Sequence, residues 1–417
     1  MKKFRPYDII HINLYKPENF QLTVKNNTGK YIVIWWKEIA LGQFFTEPET
    51  VFDDRKYKLR FVSAIIGTIE FYDNKLNGVS VDWENWLLNH SPEDWQNKLQ
   101  HILEPLIPQN FPETVPVSVI ICTCNRPVSL NKCLELLQKS VVMPQEIIVV
   151  DNAPENNDTY NIVSKFENVA YVKEPRKGLS FARNAGIKKA NAPVVAFTDD
   201  DVQVHYLWVY RLSEIFQNDK VAAMTGLVIT SSLETEAQYI FEKHWSFNRG
   251  FIEKIYGTNY FKKTLKNGPP VWEIGAGANM AFIKSIFNEV GYFNEFLGAG
   301  ASGCSEDSEM WFRILANGYD IKYDPKAITF HEHRKEMKFL KKQIFSYMRG
   351  FTVAALLQQK QSPGSGYKKH IYVRLPRYYF SLIKKGFPFY RDQFQTLSFE
   401  MKGILSGLRY FYKNFSR

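Results

Sequence analysis

Residues 113–200 alternate between short apolar runs and amphipathic stretches, and this alternation restricts the fold more than any other feature of the chain. Strand-like runs lie at 117–123, 146–151, 169–173 and 193–198, and helix-like patterns separate them at 127–139, 158–166 and 179–190. Successive strand–helix units predict a mostly parallel sheet with right-handed crossovers and helices on its faces. The expected fold class is therefore α/β.

The segments on either side have a different character. Residues 1–112 contain β-type runs at 9–14, 21–24 and 31–36, with the hairpin signal Asn-Asn-Thr-Gly before the last run. We therefore divide the chain into a small β-rich accessory domain (1–112), an α/β domain (113–335) and a helical, basic C-terminal extension (336–417). Trp83, Trp86 and Trp95 of the first domain are interpreted as core residues and not as a sugar-binding platform.

Polar residues follow three of the predicted strands, where each apolar run ends. They are Thr123, Asn125, Arg126, Asp151, Asn152, Asp199, Asp200 and Asp201. Ligands of open α/β sheets bind beyond the carboxyl ends of the strands, so these side chains are expected to line one crevice. Asp151 would accept a hydrogen bond from a base or ribose, and the acidic triplet would hold Mg²⁺ or Mn²⁺ on a diphosphate. The alternatives are a helix cap or Asx turn for Asp151 and a solvated acidic turn for the triplet.

A basic loop at 173–178 leads into the predicted helix at 179–190. Backbone N–H groups at the helix start, together with Arg176, Lys177 and Arg183, would suit an anion such as a diphosphate. A solvated basic helix face is the alternative for Arg176 and Lys177. We favour Arg183 as the residue that binds.

Two glycine-rich segments follow. The first, at 272–282, does not have the spacing of a phosphate-binding loop, and its Gly277 and Asn279 are assigned to close contact with a substrate. The second, at 298–309, delivers Glu306 and Asp307 to the start of a helix, where a carboxylate could act as a general base. Capping of that helix by Ser305 is the alternative, and the two interpretations are compatible.

His331 and His333 end a predicted strand on one face. Isolated histidines are usually structural, but one of these two is a candidate metal or phosphate ligand because the chain already holds an acidic triplet.

Charge and cysteine content limit the partners and the compartment. The 53 lysines and arginines against 43 acidic residues give a net charge of +10, which favours nucleotide phosphates, an acidic membrane surface or nucleic acid. Four cysteines without a zinc-site spacing indicate reduced thiols and a cytoplasmic protein. No apolar run reaches the length of a signal peptide core or a membrane span, so we expect no integral membrane segment.

Six motifs in order resemble those of family 2 glycosyltransferases, which have the GT-A fold. They are Val-Ile-Ile-Cys-Thr-Cys-Asn-Arg (119–126), Val-Val-Asp-Asn (149–152), Gly-Leu-Ser-Phe-Ala-Arg-Asn (178–184), Phe-Thr-Asp-Asp-Asp (197–201), Gly-Ala-Asn-Met (277–280) and Ser-Glu-Asp (305–307). The resemblance covers about residues 115–335. It implies an inverting transferase of the hexosyltransferase type that uses a nucleotide-diphosphate sugar, most often a UDP-sugar, with Mg²⁺ or Mn²⁺.

The resemblance also implies roles for individual residues. Asp151 matches the acid that contacts the base, and Arg183 lies where a basic residue supports the nucleotide. Asp199 and Asp201 match the acidic metal motif, and Asp307 matches the base that deprotonates the acceptor. Three adjacent acids leave the division between metal and ribose contacts open. The Gln-x-x-Arg-Trp motif is absent after residue 334, which argues against a processive polysaccharide synthase.

The expected partners are a nucleotide-diphosphate sugar donor and a carbohydrate or lipid-linked acceptor, in synthesis of a cell-surface polysaccharide or glycoconjugate, with no nucleic acid. Residues 367–390 contain no acid, and their six cations alternate with Tyr, Phe and Leu. This pattern fits either an interfacial helix on the inner, anionic face of the cell membrane or a basic face docked on the catalytic domain. A nucleotidyltransferase, and a non-catalytic carbohydrate- or nucleic-acid-binding protein with a degenerate core, are the alternative functions.

Overall fold

The computed structural model describes residues 4–16, 28–50, 54–78, 81–217, 220–390, 392 and 394–415. Within these ranges the chain forms an N-terminal part with a three-stranded sheet, a central part with a nine-stranded sheet, and a set of C-terminal helices. The α/β fold class predicted from the alternating pattern is confirmed.

The N-terminal part has the small sheet that the sequence predicted and also three helices. Its elements are β1 (Tyr7–Asn13), β2 (Gly29–Trp36), β3 (Ile39–Thr46), α1 (Asp54–Asn77), α2 (Trp83–Asn89) and α3 (Pro92–Leu103). β1 pairs in parallel with β2, and β2 pairs antiparallel with β3. The strand predicted at 21–24 lies outside the described residues. β3 and α1 were not predicted.

One face of α1 covers the small sheet. Phe61, Ile65, Ile69 and Tyr72 recur at intervals of three and four residues and are buried, as expected for an amphipathic helix. Burying each such side chain stabilises the fold by about 1.5–3 kcal/mol. Trp83 and Trp95 are 1% exposed and belong to the same core cluster, which agrees with the core interpretation, whereas Trp86 is partly exposed.

The central part alternates strands and helices as predicted and then continues with a mixed set. Its strands are β4 (Thr114–Thr123), β5 (Met143–Asn152), β6 (Val169–Glu174), β7 (Val194–Asp199), β8 (Val202–Val204), β9 (Val221–Thr230), β10 (Lys254–Tyr256), β11 (Asn279–Ile283) and β12 (Asp320–His331). Its helices are α4 (Pro127–Leu137), α5 (Asp158–Val163), α6 (Leu179–Lys189), α7 (Trp208–Ile215), α8 (Glu236–Trp245), α9 (Thr258–Leu265), α10 (Ile286–Val290) and α11 (Glu306–Ala316).

The strand order is β10-β12-β9-β11-β7-β4-β5-β6, with β8 paired to β12. The half built from β4, β5, β6 and β7 is parallel throughout. Beyond β7, the strand β11 runs antiparallel to both of its neighbours, and β12 pairs in parallel with β9. The sheet is thus parallel where the strand–helix alternation is regular and mixed elsewhere.

Helices cover both faces of this sheet. Ile120, Ile148 and Phe197 contribute to the core on one face, and Val119 and Val149 to the core on the other. Because the middle strands are buried on both sides, their sequences are continuous apolar runs instead of alternating ones.

The C-terminal helices are α12 (Met337–Gln361), α13 (Tyr367–Lys369), α14 (Leu375–Gly386) and α15 (Phe394–Phe415). A Cβ at Gly403 or Gly407 of α15 would lie 2.5 and 2.7 Å from carbonyl oxygens of α12, so glycine permits the close packing of these two helices. Leu356 of α12 and Phe411 of α15 join the core of the central part. The boundaries near 112 and 335 stay predictions. None of the helices in the described ranges has the length and apolar character to cross a membrane.

Candidate active site

The register of three parallel strands brings the predicted polar ends to one edge of the sheet. Thr123 at the end of β4 is paired with Asp151 of β5, and Cys122 is paired with Asp199 at the end of β7. The predicted polar residues therefore lie side by side at these strand ends, and the ligand crevice that they would line stays a prediction.

Asp200, the middle acid of the triplet, is held from inside the protein. It is 4% exposed and accepts hydrogen bonds from Thr123 Oγ1 (2.6 Å) and Arg126 Nη1 (3.0 Å). Burial raises the pKa of this carboxyl, and Arg126 opposes that rise. Arg126 Nη1 also donates to Asp201 Oδ2 at 3.0 Å. Thr123, Arg126 and Asp200 thus support the triplet from within, and their contact with a nucleotide sugar stays a prediction.

Asp199 and Asp201 remain accessible. Asp199 is 37% exposed at its side chain, and its surroundings raise its pKa to about 7, through burial first and then through repulsion by Asp201 and Asp200, against the attraction of Arg183. Arg334, which the sequence analysis did not assign, lies 3.9 Å from Asp201 Oδ2. Negative charge at Asp199 is therefore costly until a cation or a proton offsets it.

Two histidines and a glutamate form a buried chain of side-chain contacts behind Asp201. Glu242 accepts a hydrogen bond from the Ser246 hydroxyl (2.9 Å), and its other carboxylate oxygen lies 3.0 Å from His333 Nε2. His331 Nδ1 lies 3.2 Å from His333 Nδ1. Burial lowers the pKa of His331 to about 4, so its ring is neutral. The Nε2 atom of His331 lies 3.8 Å from Asp201 Oδ1.

This arrangement separates the two histidines that the sequence left as alternatives. His333 is 3% exposed and engaged at both ring nitrogens, so it has no free position for a ligand. His331 is the histidine that faces the triplet.

Arg183 joins the acidic strand end to the start of α11. Its side chain is 3% exposed, pairs with the buried Glu306 and lies 3.9 Å from Asp199 Oδ1. Its Nη2 donates to the Gly277 carbonyl at 3.4 Å. A Cβ at position 277 would lie 2.8 Å from that nitrogen, so glycine allows the guanidinium to pack this closely against the backbone. Burial disfavours the charge of Arg183, but Glu306 and Asp199 together raise its pKa. Arg183 is thus engaged by carboxylates of the site, and direct support of a nucleotide stays a prediction.

Glu306 and Asp307 have different surroundings although they are adjacent. Glu306 is 5% exposed, and burial raises its pKa while Arg183 opposes the rise, so it is suited to holding Arg183 and not to exchanging a proton with a substrate. Asp307 is only partly buried. Its Oδ2 accepts from the Gly277 N–H (2.9 Å), and its Oδ1 accepts from the Ser308 N–H (2.6 Å). Two backbone donors therefore orient an accessible carboxylate.

The start of α11 differs from the predicted cap. Ser305 occupies the N-cap position but has a φ of 71°, in the left-handed region, and its side chain makes no capping hydrogen bond. Such a conformation costs of order 1 kcal/mol or more for a residue other than glycine and is found preferentially at functional sites. The loop that precedes the helix thus places Asp307 against Gly277 at the expense of a regular cap.

The remaining predicted residues near β5 hold the loops of the crevice. Asp151 is fully buried and accepts from the Tyr171 hydroxyl at 2.9 Å. Asn152 donates to the Arg176 carbonyl (2.7 Å) and accepts from the Gly178 N–H (2.9 Å), so its side chain fixes the basic loop. Asn125 has a positive φ of 54° and is exposed, with its side-chain oxygen accepting from the Glu155 N–H at 3.2 Å. Among these residues, only Asn125 presents its side chain to solvent.

Asn279 has a structural role instead of the predicted contact with the nucleotide sugar. It is fully buried, and its Oδ1 accepts from Trp208 Nε1 at 2.9 Å. Its Nδ2 donates to the carbonyls of Leu227 (3.0 Å) and Ala327 (2.9 Å). The amide therefore ties α7, β9 and β12 to the end of β11, beside the bulge in the β9–β12 pairing.

We expect Asn279→Ala to lower the free energy of unfolding by about 2–4 kcal/mol, because it leaves two buried carbonyls and an indole N–H without partners. Denaturant unfolding followed by tryptophan fluorescence measures this loss. Asn161→Ala, at an exposed position, is the matched control and should change stability by less than about 0.5 kcal/mol. A stability equal to that of the control would contradict the structural role.

Comparison with known proteins agrees with this geometry. Residues 118–291 match the family model described as Glycosyl transferase family 2. The matched residues belong to this family. We call the central part of the chain that contains them the glycosyltransferase domain. The glycosyltransferase domain has the GT-A fold, a sheet flanked by helices with the acidic motif at a strand end. Asp307 and His331 lie beyond the matched residues, so their assignment rests on the contacts described above.

Named relatives match about half of the chain. A "Hyaluronan synthase" of Pasteurella multocida is 25% identical over an alignment 247 residues long. This alignment covers 52% of this chain and 24% of that protein. A "Chondroitin synthase" of Escherichia coli is 27% identical over 243 residues, 52% of this chain and 34% of that protein. The chain thus matches less than two thirds of the length of either relative. A solved mannosyltransferase from Pyrobaculum calidifontis aligns with 75% of this chain and 93% of its own at 13% identity and a TM-score of 0.47.

Three features of the site were missed by sequence reasoning. Glu242 lies on α8, far along the chain from the histidines it orients, and no local pattern marks it. Arg334 follows His333 directly, so its position beside the triplet could have been inferred from the end of β12. Tyr171 projects from the neighbouring strand onto Asp151, and the parallel register of β5 and β6 could have indicated it.

Proposed function

We propose that this protein is an inverting glycosyltransferase that moves a sugar from a nucleotide-diphosphate sugar, in the first instance a UDP-sugar, to an acceptor hydroxyl. The observation that carries the proposal is the carboxylate of Asp307. Two backbone N–H groups orient it, part of it is open to solvent, and Arg183 links its helix to Asp199 at the acidic strand end. A base on one side and an acidic, donor-binding edge on the other are what direct displacement requires.

The residues at the triplet fit a divalent cation. Asp201 Oδ1 and His331 Nε2 lie 3.8 Å apart, beyond hydrogen-bond distance, and both atoms are of types that bind metal ions. Asp199 adds a carboxylate whose charge is unfavourable in its present surroundings. Carboxylate and imidazole ligands suit Mn²⁺, and carboxylates also suit Mg²⁺. No group of three or more potential ligands is already assembled in the described parts of the chain, so we infer that oxygen atoms of the diphosphate complete the site.

Asp307 performs the proton transfer in this proposal. Its carboxylate accepts the proton of the acceptor hydroxyl as the hydroxyl oxygen forms a bond to the anomeric carbon. The bond between that carbon and the diphosphate oxygen breaks, and the nucleoside diphosphate leaves with the electron pair. When bound, the cation offsets the negative charge that grows on the leaving diphosphate. One displacement inverts the configuration of the anomeric carbon.

The relatives support a substrate class but not a particular sugar. Proteins named hyaluronan synthase and chondroitin synthase match 52% of this chain. We infer that the acceptor is a carbohydrate or a lipid-linked carbohydrate and that the product belongs to a polysaccharide or glycoconjugate of the cell surface.

A panel of nucleotide sugars tests the proposal. UDP-glucose, UDP-N-acetylglucosamine, UDP-glucuronic acid and GDP-mannose would each be added with Mn²⁺, Mg²⁺ or EDTA, and the thermal midpoint and slow release of nucleotide would be measured. We expect at least one UDP-sugar to raise the midpoint and to be hydrolysed only with a divalent cation, because a bound donor stabilises the folded state. A panel in which no nucleotide sugar stabilises the protein with any cation would reject the proposal.

A further inference from the structure

The C-terminal helix α14 and the turn after it expose a row of large apolar side chains. Phe380 is 73% exposed, Phe387 74% and Phe389 79%. Positions 380 and 383 are three residues apart within α14, so Ile383, which is 39% exposed, shares a face with Phe380. Single exposed apolar residues are common, but several large ones in one short segment indicate a binding site.

Cations border this apolar face. Arg377 and Lys384 lie seven residues apart along one side of α14, and Lys385 lies next to Lys384; all three side chains are exposed. None of the three forms an ion pair within the described part of the chain. Residues 367–390 contain no Asp or Glu at all. The positive charge of this surface is therefore not neutralised from within its own segment.

A neighbouring side of α14 is fixed to the protein. Tyr379 is buried, and its hydroxyl donates to the Glu400 carboxylate of α15 at 3.1 Å. Gly386 lies against the ring of Phe394, where a Cβ would come within 2.4 Å. The sequence left docking on the catalytic domain and binding to a membrane as alternatives for this segment; one face docks, and the apolar, cation-bordered face stays free.

The chemistry of the free face selects its partner. A second copy of the chain would place the same lysines and arginines opposite one another, and the repulsion would oppose association. An anionic bilayer offers headgroup charge to the cations and an acyl region to the phenylalanines at once. We propose that residues 375–390 form a docking surface for anionic membranes, in which Phe380, Phe387 and Phe389 enter the bilayer interface and Arg377, Lys384 and Lys385 contact the headgroups.

The segment that precedes this surface contacts the residues that lead to the candidate active site. The segment between α13 and α14 places the His370 ring 5.6 Å from the ring of Trp272. Trp272 precedes the loop that carries Gly277, the donor to Asp307. Docking would therefore hold this side of the glycosyltransferase domain near the membrane, where a lipid-linked acceptor lies. The docking proposal itself does not depend on the transferase activity.

Flotation of the full-length chain with vesicles tests the proposal. We expect the chain to float with mixed phosphatidylglycerol and phosphatidylcholine vesicles and not with phosphatidylcholine alone. Phe380→Ser, Phe387→Ser and Phe389→Ser combined should lower vesicle binding about tenfold or more at low and high salt. Lys384→Gln with Lys385→Gln should lower it mainly at low salt, because headgroup attraction is screened. The matched control replaces two exposed apolar residues elsewhere, Leu59→Ser and Ile255→Ser, and should bind as the unmodified chain does.

Three outcomes would overturn the proposal. Equal binding to both kinds of vesicle, or no binding to either, would exclude an anionic membrane surface. Equal losses in the triple-phenylalanine variant and the control would show that the apolar residues at this site have no special role. The molar mass of each protein is measured by light scattering. A lower molar mass for the triple variant than for the unmodified protein would assign the surface to a second copy of the chain. Thermal unfolding of each variant verifies that the fold is kept.

Discussion

Asp307→Asn is expected to reduce the turnover number about a thousandfold and to leave binding of the nucleotide sugar within about threefold of the unmodified protein. General base catalysis contributes about 10²–10⁴ to a rate, and asparagine cannot accept the hydroxyl proton. The amide oxygen can still accept from the Gly277 N–H, so the loop at 277 should keep its position. Initial rates with the donor identified from the panel, together with calorimetric titration of the nucleotide, separate chemistry from binding.

Glu309→Gln is the matched comparison for this experiment. Glu309 lies in the same first turn of α11 and loses the same charge, but its carboxylate is buried against Arg313, with contacts of 2.8–3.0 Å. We expect this variant to be less stable and to keep its turnover number within a few fold. If the two variants lost turnover equally, Asp307 would act through the helix and not as the base.

The polar edge of the sheet could be predicted from the sequence because it depends on local signals. Asp151 and Asp199 each end an apolar run, and parallel strands place their carboxyl ends together once the strand–helix alternation is recognised. The helix α1 carries a comparable local signal, since Phe61, Ile65 and Ile69 recur with helical spacing, and it was overlooked because the neighbouring β-type runs dominated the interpretation.

The roles of individual side chains depend on contacts that no local pattern contains. Arg183 and Glu306 are 123 residues apart, and their pairing decides that Glu306 holds a guanidinium while its neighbour Asp307 stays accessible. Asn279 follows a glycine-rich loop, which suggested contact with a ligand. Its burial beneath Trp208 arises only because β11 is inserted antiparallel between β7 and β9. The mixed half of the sheet has no alternating pattern from which that insertion could be read.

The division of the acidic triplet is where the structure adds most to the sequence. Three adjacent acids appear equivalent as letters, yet Asp200 is enclosed by Thr123 and Arg126 while Asp201 lies 3.8 Å from His331 Nε2. Asp199 lies beside Arg183. Because their surroundings differ, we expect substitutions of Asp200 and Asp201 to have different effects on stability and on Mn²⁺-dependent binding.

Asp201→Asn is expected to weaken the Mn²⁺-dependent part of nucleotide binding about a hundredfold, because the neutral amide loses the charge that attracts the cation, and outer ligands of metal sites alone contribute about 10–100-fold to affinity. Titration of UDP with and without Mn²⁺ measures this part directly and does not require turnover. His331→Ala should weaken the same part, and His333→Ala should do so to a smaller degree by freeing the ring of His331.

Asp200→Asn provides the internal control, since it removes one charge from the same triplet. Asp200 is enclosed and contacts Thr123 and Arg126, so this variant should lose stability through its hydrogen bonds while the Mn²⁺ dependence of UDP binding stays within a few fold. Equal losses of Mn²⁺ dependence in the two variants would mean that the triplet acts through its total charge. If only Asp201→Asn and His331→Ala lose the Mn²⁺ dependence of UDP binding, the cation binds to Asp201 Oδ1 and His331 Nε2, which lie 3.8 Å apart. In that case β12 carries a metal ligand, and Glu242 orients this ligand through His333.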